Sequence, residues 1–233
     1  MQEEKSSYTA LPIATVTSSF FSKVYSWMTA GLALTALASV LTLSSESMLQ
    51  LIFGNKIIFY GLIIAELGLV VALSAAINKV SAATATLMFL GYSALNGVTF
   101  AAIFLIYTQS SIASTFFVAS GTFAAMSIYG YVTKRDLTGW GSFLFMGLIG
   151  IIIASVVNIF MQSEMIYWIT SYIGVFIFVG LTAYDTQKIK EIGQAGFTDG
   201  EHQHKAAIIG ALRLYLDFIN LFLMLLRVMG NRR

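Results

Sequence analysis

Two aspartates carry most of the chemistry legible in this chain. Asp185 lies in Phe178-Val-Gly-Leu-Thr-Ala-Tyr-Asp-Thr-Gln-Lys-Ile-Lys190, and Asp217 lies in Leu214-Tyr-Leu-Asp-Phe-Ile-Asn-Leu-Phe222. Each falls in or at the edge of a strongly apolar run. An ionised carboxylate at the centre of a bilayer costs roughly 2.5–3.5 kcal/mol on insertion scales, so an acid there is normally kept for a partner or a pathway. The two runs are consecutive and joined by one polar stretch, and consecutive helices in a bundle are usually spatial neighbours. The acids are therefore expected to meet across a helix–helix seam.

Two carboxyl groups that close in a poorly hydrated site cannot both ionise cheaply, so they titrate as a unit. A shared proton would draw the two helices together, whereas full ionisation or an entering cation would space them apart. That is a bistable element biased by pH. Calcium binds tightly with about six to eight oxygen ligands. Two carboxylates and a few waters make a weak calcium site, suited to passage rather than storage.

Simpler arrangements are also open at this stage. Arg213 stands four residues before Asp217 and could pair with it within one helix, although that order is the less favourable one. Asp185 could snorkel to an interface beside Lys188. Glu66, in Ile-Ala-Glu-Leu-Gly, sits mid-span with no basic residue within a turn, and is expected to be protonated or hydrogen-bonded to another helix. Asn96 and Asn158 read as hydrogen-bonding residues between helices.

The elements that must position these groups follow from composition. The chain has 233 residues, 58% hydrophobic and 10% charged, with a mean hydropathy of +0.81. Soluble domains carry about 25% charged residues, so this composition cannot cover a soluble surface. Seven apolar segments, at about 24–44, 57–77, 83–107, 112–133, 141–161, 165–187 and 206–229, are long enough to cross a bilayer and lack period-two alternation. The expected fold is all-α: a polytopic membrane protein with a tail over residues 1–22 and a seven-helix transmembrane domain over 23–233. Arg213, Asp217, Asn220 and Met224 recur at one helical face, which predicts that the seventh span is central, facing protein or water. Small residues four apart, Gly97/Ala101 and Gly121/Ala125, predict close helix contacts.

Orientation rests on basic loop residues. Lys5, Lys23, Lys79, Lys134, Arg135, Lys188, Lys190 and Lys205 fall on one face, against Lys56, Arg227, Arg232 and Arg233 on the other. This predicts a cytoplasmic N-terminus and an outside C-terminus. The N-terminal residues show no signal-peptide pattern and read as a cytosolic tail, which another protein could grip. The stretch 188–205 reads as the longest loop, polar and punctuated by glycine. His202 and His204 lie in it, so a multi-histidine metal site inside the membrane is excluded. With no cysteine, thiol chemistry is excluded as well, and a net charge of +2 gives no reason to expect nucleic acid as a partner.

At the two aspartate motifs, and in Ala211-Leu-Arg-Leu-Tyr-Leu-Asp-Phe-Ile-Asn-Leu-Phe-Leu-Met-Leu-Leu-Arg227 and Tyr129-Gly-Tyr-Val-Thr-Lys-Arg-Asp-Leu137, the sequence resembles the transmembrane Bax-inhibitor-motif family (Bax inhibitor-1-like), in particular its bacterial branch. The resemblance implies a seven-helix fold in a bacterial inner membrane and a pH-sensitive passive calcium leak. Asp185 and Asp217 match the family's paired aspartates, which serve as pH sensor and ion pathway. Some relatives clasp the pair with an arginine near the end of helix two. Here that region reads Ala76-Ile-Asn-Lys79, so Lys79 or Arg213 would have to substitute. The resemblance also implies a second possibility: an interaction protein that modulates a membrane-bound AAA protease through its N-terminal tail, or a stress or cell-death pathway.

No catalysis and no bound cofactor are expected, with membrane lipid, protons and calcium as the partners. Presenilin-like intramembrane proteases also place Tyr-Asp on one helix and Asp on the next, but their Gly-x-Gly-Asp and Pro-Ala-Leu motifs are missing here.

Overall fold

In lipid every backbone N–H and C=O must be satisfied within its own segment, which restricts such runs to helices. The computed structural model describes residues 13–233, with side chains from residue 17, and its described residues form eight helices in the order α1 Ile13–Leu43, α2 Glu46–Phe53, α3 Lys56–Ala76, α4 Ala82–Ile106, α5 Gln109–Val132, α6 Thr138–Met161, α7 Glu164–Ala195 and α8 Gly200–Met229. All but α2 are long and apolar enough to cross a membrane. The chain is an all-α, seven-span membrane protein.

Several boundaries differ from the expectation. Helix α1 starts at Ile13 and takes in the second half of the stretch assigned to the tail; the remainder of the tail lies outside the described residues. The expected long loop at 188–205 is mostly helix. Helix α7 continues to Ala195 and α8 already begins at Gly200, leaving a four-residue turn at 196–199. Polar side chains support both extensions. Lys188 pairs with Glu191 at 2.7 Å, Lys205 pairs with Glu201 at 3.1 Å, and Asp199 caps α8 by accepting from the His202 N–H at 2.8 Å. That N–H holds the Asp199 carboxyl below the usual carboxylate range. Gly196, at φ +78° and ψ 179°, takes a positive-φ conformation that side-chain-bearing residues rarely adopt, and α7 stops there.

Helix α8 is the axis of the bundle. In its most apolar stretch 67% of residues are buried, against 6% for α3 and 11% for α6. Phe20, Val24, Phe89, Ile189, Leu212, Leu214, Tyr215 and Leu221 are among its fully buried neighbours and members. The small-residue prediction divides. Gly97 and Ala101 are buried, and a Cβ at Gly97 would meet the Thr35 carbonyl of α1, so this pair does mark a close approach. Gly121 and Ala125 point outward, and nothing stands near Gly121. Four-residue spacing brings small side chains onto one face, but packing decides which face meets a neighbour.

Candidate functional site

Helices α7 and α8 pack along their length and bring Asp185 and Asp217 together. Both acids line one cavity at this seam, near enough for their charges to act on each other. Asp217 is buried at 4% exposure, while Asp185 is 14% exposed at its side chain. Asp217 Oδ2 is fully buried, and no N–H or O–H donor of another described residue reaches it. The group that can satisfy this oxygen is the facing carboxyl, provided one proton sits between them.

Arg213 does not pair with Asp217 along α8. It reaches across the seam, its Nη1 3.7 Å from Asp185 Oδ1. Position i−4 on the helix lies close, but the guanidinium is half-exposed and turns toward the more accessible acid. Lys188 does not serve Asp185 either: its Nζ donates to Thr138 Oγ1 at 2.9 Å and to Glu191 at 2.7 Å. Lys79 is exposed in the α3–α4 turn and forms no ion pair among the described residues. Of the two candidate substitutes for the clasp, the structure brings Arg213 to the pair and leaves Lys79 away from it.

The acids open onto a cavity of about 540 Å³ between α6, α7 and α8, walled by Ser142, Phe145, Leu181, Tyr184, Arg213 and Asn220. The polar stripe Arg213/Asp217/Asn220 lines this space, as its helical spacing predicted. Asn220 donates to the Leu216 carbonyl at 2.8 Å, which anchors its amide beside Asp217. A Cβ at Gly141 would collide with the Tyr184 ring, so glycine there lets α6 close against the aromatic wall. No group of three or more His, Asp or Glu side chains clusters as metal ligands would among the described residues.

The sequence did not single out the residue that fixes the α5–α6 connection against α7. Gln187, two residues past Asp185, is buried; its Oε1 accepts from the Leu137 N–H at 2.9 Å, and its Nε2 donates to the Arg135 carbonyl at 2.8 Å. One amide thereby staples the α5–α6 connection to α7. Gln187 stands among Asp185, Thr186 and Lys188 at the polar end of its apolar run, where its residue type gave no signal. In the same connection Asp136 accepts from the Thr138 N–H at 2.8 Å, and the Thr138 hydroxyl and N–H hold its carboxyl below the usual range.

The remaining polar candidates fall elsewhere. Glu66 accepts from Thr99 Oγ1 of α4 at 2.9 Å, a bond to another helix. It is not part of the acid pair. The two asparagines do not join helices: Asn96 donates to Tyr92 Oη at 3.0 Å in its own helix, and Asn158 accepts from the Ser163 N–H at 2.8 Å across the α6–α7 turn. Each finds a local partner one turn or one loop away, which forms at a smaller entropic cost than a distant one. His202 pairs with Asp199 at 2.7 Å, and His204 meets Thr86 at 2.9 Å and the Trp27 ring, so the two do not act as a metal pair.

Comparison with known proteins identifies the family. Residues 17–233 match the protein family described as inhibitor of apoptosis-promoting Bax1. Inner membrane protein YbhL of Escherichia coli K12 is 55% identical over 215 residues, 92% of each chain. An uncharacterized protein of Borreliella burgdorferi is 49% identical over 92% of each chain. Another, of Rickettsia prowazekii, is 46% identical over 91% of this chain and 89% of its own. With seven spans and an inner-membrane relative this similar, the chain is an integral protein of a bacterial inner membrane. By a match that runs from the first span to its last residue, it belongs to the Bax inhibitor family.

Proposed function

We propose that the chain is a passive, pH-sensitive leak pathway for calcium, gated by the proton that Asp185 and Asp217 share. One observation carries the reading: Asp217 Oδ2 is buried with no donor except the facing acid, at the wall of a cavity large enough for a hydrated cation. With the proton in place, the pair ties α7 to α8 and the path is shut. When the proton leaves, two adjacent negative charges repel, and a divalent cation with its waters can take its place. Flux therefore rises with pH. On this reading the protein transports and does not catalyse, calcium is the permeant ion rather than a cofactor, and Arg213 tunes the pair through Asp185. Glu66 is a polar step on the α3–α4 side, and Lys79 has no part.

The test is calcium flux into proteoliposomes from about pH 6 to about pH 8. Wild type should show flux that increases with pH, and Asp185→Asn and Asp217→Asn should each flatten that dependence. The same pH response in both variants would sink the proposal. The interaction reading, a grip by a membrane AAA protease on the N-terminal tail, separates by a cut that stops short of α1: deleting residues 1–12 would abolish partner binding and leave flux intact.

A further inference from the structure

At the end of the bundle away from the acid pair, two arginines are held together. Tyr167 sits 18 residues before Asp185 on α7, roughly 27 Å along the helix. Arg227 lies over its ring with Cζ 5.6 Å from the centre, and Arg232 lies over the same ring at 5.4 Å. Arg232 Nη2 also donates to the Tyr167 hydroxyl at 2.8 Å. Backbone bonds hold the last residues in place: the Thr108 N–H donates to the Asn231 carbonyl at 3.1 Å, the Arg233 N–H to the Ile106 carbonyl at 2.9 Å, and the Asn231 N–H to Ser111 Oγ at 2.9 Å. Arg232 is thus built into position although it lies outside every helix.

Two guanidiniums on one ring repel each other, and a cation–π contact offsets only about 0.5–2 kcal/mol of such a cost. Neither arginine is within ion-pair range of a carboxylate among the described residues. Both wall a cavity of about 550 Å³ with Asn158, Ser163 and Trp168. Its one acid, Glu164, accepts from the Trp168 indole N–H at 3.4 Å and leaves the cavity with an excess positive charge. The same two arginines and Tyr167 also wall an adjoining cavity of about 320 Å³, whose other walls include Ile103, Ile106, Leu223 and Leu226. A polar basin with two forked donors beside an apolar channel matches an amphiphile with an oxyanion head.

We infer that Arg227 and Arg232 form a binding site for an anionic phospholipid, its phosphate between the two guanidiniums and an acyl chain in the channel beside them. The site is independent of the acid pair and of any ion flux. Guanidiniums bind phosphate bidentately. The apolar channel favours a membrane lipid over free phosphate.

The test uses the full chain in neutral detergent, with lipid retention read by native mass spectrometry and the thermal midpoint read in parallel. Phosphatidylglycerol should be retained about tenfold over phosphatidylcholine: both present a phosphate, but the choline cation would stand beside two guanidiniums and is repelled by them. R232Q lies outside the helices and should fold, so it reads the site alone; R227Q with R232Q should remove the preference altogether. Equal retention of the two lipids by wild type, or undiminished phosphatidylglycerol on R232Q, would overturn the site. If inorganic phosphate raises the midpoint as much as phosphatidylglycerol does, the ligand is a free oxyanion and the lipid assignment fails.

Discussion

Tyr215 and Asp217 are two residues apart on α8, so they face opposite sides of the bundle's central helix. Tyr215 is wholly buried, and its hydroxyl bonds Thr35 of α1 at 2.7 Å. Thr35 in turn donates to the carbonyls of Gly31 and Ser93 at 2.9 Å, and Ser39 donates to Gly97 at 2.7 Å. The Phe89 and Tyr92 rings stand edge-on to Tyr215. That side ties α1, α4 and α8 together with its hydroxyls partnered. Asp217 is nearly as deep, yet one of its oxygens has no donor and its wall is a cavity. A satisfied buried network rigidifies a core, whereas an unsatisfied buried acid costs stability and is retained for what it does. One face of α8 builds the bundle, and the other carries the acid pair on which the proposed gating rests.

The contrast breaks most readily at Gly97. A side chain there must push α4 from the Thr35 carbonyl, so Gly97→Ala should cost about 1–3 kcal/mol of stability, read from unfolding in mixed detergent micelles. The pH response of ion flux should survive in the fraction that folds. Loss of that response at wild-type stability would mean the two faces are not separate.

A smaller effect sharpens the working face. Arg213→Gln removes the positive charge that favours ionised Asp185, 3.7 Å away. The proton should then stay on the pair to higher alkalinity, so the pH at which flux rises should move upward. Stability should change little, because the guanidinium is half-exposed and water screens it. An unchanged flux profile would remove Arg213 from the mechanism.

What the amino-acid sequence makes legible follows the same division. Long apolar runs made the seven spans plain because the bilayer sets their length. They could not mark helix ends that continue past the bilayer, as with Lys188–Ala195 and Gly200–Lys205, where charged side chains pair along the helix instead of signalling a loop. The eight-residue α2 was too short to register against its neighbours. The facing of Asp185 and Asp217 was legible because buried charge is rare enough to be conspicuous. Tyr215, in the same motif, carries no such mark, since a tyrosine in an apolar helix looks like bulk until its hydroxyl finds a partner. Which residue Arg213 would choose was legible only in part: the resemblance offered it as a substitute clasp for the pair, the spacing along α8 offered Asp217 in the less favourable order, and the packing of α7 brought Asp185 within reach.

The mildest change asks whether the sealed face is structural in the strict sense. Tyr215→Phe keeps the ring and its edge-on contacts and deletes one hydroxyl. Thr35 keeps the Gly31 and Ser93 carbonyls as acceptors, so no donor is stranded by the loss. The cost should therefore sit near the net value of one hydrogen bond, about 1 kcal/mol or less. Helix α8 should stay where it is, with Asp217 still against Asp185 and the flux profile unmoved. A flux profile displaced by this one atom would show that proton occupancy at the acid pair is felt through the helix at Thr35, and the two faces would have to be treated as a single device.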